Sequence, residues 1–263
     1  MKKLIEILKK LKKIGVVGIK QSFEDEGASF KDIETMRFIT NAAKIHLNVK
    51  IGGCEAKNDI FFCKKIKANT IVAPMVESEY ALSKFVQCAN VGNKISLLIN
   101  LETDLSLKNL KKMTKSKFFN YLDGVVIGRS DLAGSLYLSK NDVNSKIIFD
   151  KVEKAFKKIK NLNKRKFIFK MGGSITPRSK IFINKLYLKK LLHRIETRNV
   201  EIKLSETTIK NIDKIVIEAF KFELSWLKFK LKNIKKENNK LLFNDYSSRV
   251  LEMTERLKRH LNA

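Results

Sequence analysis

Seven times along its 263 residues this chain repeats one pattern: a short apolar run, then a longer stretch with helical spacing. The runs are VVGIKQSF, LNVKIGG, NTIVAPM, ISLLINLE, LDGVVIG, KFIFKMGG and RNVEIKL. Gly124, Val125, Val126 and Ile127 typify them: short, β-branched and bounded by glycine, as strands read when both faces are covered. Strands that alternate with helices, in a chain with only two prolines, predict a parallel sheet joined by helical crossovers. The expected fold class is α/β, a TIM-type (β/α)8-like barrel. Residues 1–207 would form the barrel with an N-terminal helix, and 208–263 a C-terminal helical extension. The strand count is the open point. Either the N-terminal helix replaces an eighth strand, or that strand lies in LHRIETR before Asn199.

The helical stretches carry their own signals. Ser29 and Asp32 fit a capping pattern, with Ile33, Met36, Ile39 and Ala43 on one face. Ala81, Leu82, Phe85 and Ala89 share another face. The opening MKKLIEILKKLKKIG has one apolar stripe and suits a short helix packed on the domain. From Thr208, the residues Ile209, Ile212, Val216, Ala219, Leu227, Leu231 and Ile234 form a stripe longer than one crossover needs. A polar break after about residue 235 and a second amphipathic helix follow, an arrangement expected to pack on the barrel or on a second copy in a homo-oligomer.

Composition narrows the class. A hydrophobic content of 44% with 9% aromatics excludes a disordered chain. The net charge of +28 comes mostly from Lys scattered over helical segments, which reads as a solvated basic surface, and no specific nucleic-acid partner is expected. Cys54, Cys63 and Cys88 are odd in number and lack metal or disulfide spacing, as in a reduced, cytoplasmic protein. The opening segment lacks the marks of a signal peptide, and no stretch is long and apolar enough to insert in a membrane.

Chemistry-bearing residues gather after the strands: EDEG after the first, Lys50 and IGGCE at the second, APMVESE, NLET, GRSD and KMGGS in turn. In α/β folds, ligands bind at that edge. Asp131, just past GVVIG, is either such a ligand group or a helix N-cap. Glu55 and Glu77 open helices and suit the helix dipole, while Glu196 and Arg198 suit a site pair or a salt bridge. Gly52, Gly53, Gly172 and Gly173 suit tight turns or close approach of backbone amides to an anion. His46, His193 and His260 lie away from the strand ends and read as structural or surface residues.

TIVAPMVESEYA, LLINLETDLSLKNL and LDGVVIGRSDLAGSL, in that order and spacing, resemble the strand motifs of the HpcH/HpaI aldolase and citrate lyase β-subunit family. The likeness spans roughly residues 15 to 205 and implies a metal-dependent barrel of the pyruvate and phosphoenolpyruvate superfamily. It implies that Glu102 and Asp131 hold Mg²⁺ or Mn²⁺, and that Lys50 polarises a keto oxygen where many members carry Arg. It also implies that the backbone at Gly128, Arg129 and Ser130 holds a substrate carboxylate, with Arg129 adding a charge contact. The His that one branch of the family carries after an early strand is absent, which leaves Glu24 or Glu26 as the general base. The expected activity is carbon-carbon lysis or aldol chemistry on a small 2-oxo acid. Its rivals are a Schiff-base aldolase using Lys20, Lys50 or Lys170, and a barrel that has lost catalysis and serves as a binding protein.

Overall fold

The structure, a computed structural model, describes residues 1–89, 95–162, 167–236 and 239–261. The polar break expected after about residue 235 falls partly outside that set. Helix α1 (Lys2–Lys13) precedes β1 (Val16–Ser22), α2 (Phe30–Ala43), β2 (His46–Lys50), α3 (Lys57–Lys65), β3 (Thr70–Ala73) and α4 (Glu79–Ala89). There follow β4 (Ser96–Asn100), α5 (Asp104–Lys115), β5 (Gly124–Gly128), a short α6 (Arg129–Ser135) and α7 (Lys146–Leu162). The chain ends with β6 (Ile168–Gly172), α8 (Lys180–Leu188), β7 (Arg194–Glu196), β8 (Val200–Lys203), α9 (Glu206–Lys210), α10 (Ile212–Lys236) and α11 (Lys240–Leu261).

The eight strands close into a barrel in sequence order. Neighbours from β1 to β7 are parallel, but β8 runs antiparallel to both β7 and β1. This corrects the expectation of an all-parallel sheet with a helix after every strand. Only Thr197, Arg198 and Asn199 separate β7 from β8, and a parallel return needs a crossover of about a dozen residues. A tight turn forms instead, with the Thr197 amide donating to Val200 O at 2.9 Å. The extra strand is the RIE of LHRIETR. Helix α1 replaces nothing: it buries Leu4, Leu8 and Leu11 and packs on α2 and α10.

Strand alternation splits the side chains between two environments. Ile71, Ile99, Val125, Ile127 and Met171 are completely buried in the main core, under the helices. Inside the barrel, Val72, Leu98 and Val126 form a small apolar cluster of their own. Beside it lies a buried polar group: Glu201 Oε1 lies 3.1 Å from Lys170 Nζ and 2.6 Å from Arg194, and Asn48 donates to Glu201 Oε2.

The C-terminal helices pack on their own barrel. Helix α10 buries Ile212, Val216, Ala219, Phe220, Phe222 and Trp226 and lies against α1 and α11. Its long stripe is thus covered within the chain. Helix α11 runs over the carboxyl ends of β1 and β6: Tyr246 and Arg249 donate to Glu26 O at 3.2 and 2.8 Å, and Arg256 donates to Ile175 O at 3.2 Å. No helix among the described residues is long and apolar enough to cross a membrane.

Candidate active site

Four chemistry-bearing side chains meet at the carboxyl ends of β1, β2, β4 and β5. Lys50, the last residue of β2, points into the barrel mouth with 6% of its side chain exposed. Its Nζ lies 2.8 Å from Asp25 Oδ2 and 3.5 Å from Glu102 Oε1. Glu102 follows β4 and is almost fully buried. The Met75 amide donates to its Oε1 at 3.0 Å, and Asn100 Nδ2 donates to its Oε2 at 2.8 Å. Met75, in the APM turn after β3, makes that bond from a left-handed conformation (φ 48°), a small local strain that aims an amide at the carboxylate.

Asp131 completes the group. The N-cap of α6 is Gly128, with no side-chain cap, so Asp131 stands two residues inside the helix and is exposed. The cap reading therefore falls away. A Cβ at Gly128 would lie 2.8 Å from Glu102 Oε2 and 3.6 Å from Asp131 Oδ2, so both carboxylates flank the point that the glycine leaves empty.

Charge is uneven across this mouth. Burial alone would lower the affinity of Lys50 for its proton, but Glu102, Asp25 and Asp131 together hold its pKa above the usual lysine value. Burial pushes Glu102 up, assisted by Asp131 and opposed by Lys50 and the two hydrogen bonds. Asp25 is held below its usual value: burial works to raise it, and the hydrogen bond and charge of Lys50, with the charges of Lys20 and Arg198, outweigh that.

The other expected site residues go elsewhere. The Arg129 guanidinium has no exposure; it donates to Gly172 O, Val143 O, Asn144 Oδ1, Gly173 O and Ser179 Oγ and stacks 4.9 Å over Phe182. A charge contact from this side chain to a substrate is thereby corrected, since its donors are committed to the scaffold. Ser130 Oγ sits 2.9 Å from Ser174 Oγ, and its backbone amide, with that of Arg129, faces Gly173 closely enough that only glycine fits there.

Neither Glu24 nor Glu26 pairs with Lys50 among the described residues. Glu24 is exposed and lies over Gly52 beside Asp59. Glu26 is buried, accepts from Asn199 Nδ2 at 2.8 Å on both oxygens, and is pushed up to about 7 by burial. The residue between them, Asp25, reaches Lys50 instead. The acidic loop was visible in the sequence, but an irregular loop has no periodicity to say which of three carboxylates turns inward. Asn100 had a usable signal, since it shares strand parity with Leu98, whose side chain faces the barrel interior.

Glu55 pairs with Lys84 at 3.1 Å, and Glu77 accepts from Thr103 Oγ1 at 2.5 Å, both structural roles. Glu196 and Arg198 do not form a pair: Glu196 is buried 3.5 Å from Lys170, and Arg198 is exposed in the hairpin turn. Lys170 is 1% exposed between Glu196 and Glu201. His193 Nδ1 accepts the Phe169 amide at 3.0 Å.

The same fold occurs in solved structures. The chain is similar to citrate synthase SbnG, at 16% identity and a TM-score of 0.57, covering 72% of this chain and 89% of that one. It is similar to an HpcH/HpaI aldolase from Desulfitobacterium hafniense DCB-2, at 12% identity and a TM-score of 0.61, covering 73% and 81%. A similar likeness, 12% identical with a TM-score of 0.55 and covering 82% and 90%, joins it to an HpcH/HpaI aldolase/citrate lyase family protein from Burkholderia cenocepacia J2315. No curated protein matches. At these identities the structures establish the fold alone. The model of the HpcH/HpaI aldolase/citrate lyase family matches residues 32–172, more than half of the sequence and the stretch that holds Lys50, Glu102 and Asp131. The chain belongs to the HpcH/HpaI aldolase/citrate lyase family of lyase-type enzymes.

Proposed function

We propose that the protein is a divalent-metal-dependent carbon-carbon lyase or aldolase acting on a 2-oxo acid of the pyruvate type. One observation carries the reading: two carboxylates, Glu102 and Asp131, flank the gap over Gly128 while the Lys50 ammonium stands 3.5 Å from the first. Oxygen donors of this kind suit Mg²⁺ or Mn²⁺, which are commonly held by one or two carboxylates and fill their other positions with water and substrate. Such an ion would supply Lewis-acid stabilisation of developing enolate charge.

The chain's own residues do the rest. Met75 and Asn100 fix the rotamer of Glu102, so its oxygens are presented without a search. Lys50, held cationic by three carboxylates, places positive charge where a keto oxygen becomes an enolate oxygen. In the cleavage direction a hydroxyl proton leaves, the adjacent carbon-carbon bond breaks to give an aldehyde, and its electron pair becomes the enolate. Asp25 is the carboxylate placed to take that proton, directly or through water, because it alone of the EDE group touches Lys50. The backbone from Gly128 to Asp131 holds the substrate carboxylate in this scheme. A homo-oligomer remains part of the proposal, now resting on Leu241 and Leu251, which α11 leaves exposed. A monomer mass by light scattering removes that part.

The deciding experiment is calorimetric titration of Mn²⁺ into wild type, Glu102→Gln and Asp131→Asn. Each amide keeps the shape and removes a charge, so affinity and turnover are expected to fall about 100-fold or more with the fold retained. Unchanged Mn²⁺ binding in both variants removes the basis of the reading.

A further inference from the structure

Beyond the barrel mouth lies a second cavity, a cleft of about 760 Å³ in the size range of small-ligand sites. Residues 140–144, the loop 174–178 after β6, the start of α10 and the end of α11 enclose it. Lys140, Arg178, Arg256, Arg259 and His260 line it, with Asp213 as the acid in the lining. Asp213 is taken by Lys180 at 2.7 Å. None of the four lining cations forms an ion pair among the described residues. Arg256 lies 4.4 Å over Phe220 and gives one bond to Ile175 O; Glu223, the buried carboxylate that acts on it, accepts from Thr197 and Asn199 on Oε1 and forms no ion pair with it among the described residues.

This cleft is built rather than incidental. The buried Arg129 guanidinium ties Val143, Asn144 and Gly173 together, which pins two of its walls. His260 reports the field inside: burial lowers its pKa, and Arg256, Arg178 and Arg259 lower it further, so three guanidiniums act on one imidazole. The cleft also adjoins the barrel mouth. Ser174 lines it, and Ser174 Oγ lies 2.9 Å from Ser130 Oγ, the residue before Asp131.

We infer that this cleft is an anion subsite that takes the phosphate of a phosphorylated aldehyde, the partner that a 2-oxo acid enolate adds to or releases. Planar guanidiniums match phosphate oxygens in pairs, and several unpaired ones in one cleft favour a dianion over a neutral or singly charged group. The inference rests on the proposed lyase reaction for the chemistry at Glu102 and Asp131, but its binding site is separate.

The test is titration of glycerol 3-phosphate, in about 150 mM salt, into wild type, Arg178→Gln/Arg259→Gln and the charge-matched control Lys10→Gln/Lys13→Gln on α1. All four residues are exposed, so the fold should tolerate the changes. One saturable site is expected, about tenfold weaker in the arginine variant and unchanged in the control. Pyruvate with glyceraldehyde 3-phosphate should turn over with a kcat/KM about tenfold above that with glyceraldehyde, an advantage the arginine variant loses. Absent or non-saturable binding, equal weakening in the control, tighter binding of inorganic phosphate than of glycerol 3-phosphate, or no preference between the aldehydes would overturn the inference. Mn²⁺ titrated into the same samples reads Glu102 and Asp131 independently, so failure of the metal reading and failure of this one are told apart.

Discussion

Glu102, Asp25 and Asp131 strengthen the hold of Lys50 on its proton, and that separates two kinds of aldolase. An imine-forming lysine must lose its proton at working pH, whereas a charge-stabilising one must keep it. With Glu102, Asp25 and Asp131 raising its pKa, Lys50 suits the second role. Borohydride added with pyruvate is therefore expected to leave no adduct on the protein by mass spectrometry. Asp25→Asn should lower kcat about 100-fold with a smaller change in KM, since in the proposed reaction Asp25 takes the proton while the backbone from Gly128 to Asp131 holds the substrate carboxylate. A parallel fall in Glu24→Gln or Glu26→Gln with none in Asp25→Asn would return the role to those residues. Gly128 gives a purely steric test. A methyl there would stand 2.8 Å from Glu102 Oε2 and 3.1 Å from Glu102 Cβ, so Gly128→Ala must displace the carboxylate. Mn²⁺ affinity should drop about tenfold while thermal stability changes little.

Helix α11 acts as a cover over the end of β1, and what it covers is titratable. Glu26, buried beneath Tyr246 and Arg249, has its carboxyl raised from 4.5 to about 7, first by burial, with Lys20, Arg198, the Asn199 hydrogen bond and Lys230 opposing. A carboxyl whose folded pKa is raised favours the folded state in its protonated form. That contribution is whole below about pH 4.5 and is lost as pH rises through about 7, to a total of up to about 3 kcal/mol. Glu26→Gln should therefore be worth more at pH 8 than at pH 5, by the same order, in urea unfolding followed at both pH values. A difference that does not change with pH would mean that Glu26 stays ionised throughout. The β7–β8 hairpin works at the same scale: reversing one strand brings Glu201 against Lys170 and Arg194 inside the barrel, where a helix-linked parallel strand would have needed residues the chain does not have.

Taken over the whole molecule, most of the charge of +28 lies on the surface, apart from the cleft beside Ser174 and buried cations such as Lys50, Arg129 and Lys170. Lysines on α1, α5 and α7 alternate with buried apolar residues, as solvated helix faces do. Non-specific DNA binding is expected to be weak and to collapse between about 50 and 200 mM salt in a fluorescence anisotropy titration, because counterion release drives it. Sequence-selective binding that survives physiological salt would overturn this account.

Most of the barrel was legible because strand and helix periods are local properties of the chain. Runs such as GVVIG and stripes such as Ile33, Met36 and Ile39 declare burial without any knowledge of neighbours. That Lys50, Glu102 and Asp131 come together was legible for a related reason: each stands at or just past the end of a strand, and strand ends converge once the barrel closes. Tertiary structure alone decided the rest. It selected Asp25 from three adjacent carboxylates, turned Arg129 inward to hold Val143, Asn144 and Gly173, and folded Arg194 to Lys203 into a hairpin. It also spent the α10 stripe on the chain's own core. Each of these depends on which surfaces meet across long sequence separations, and periodicity along a chain carries no record of that.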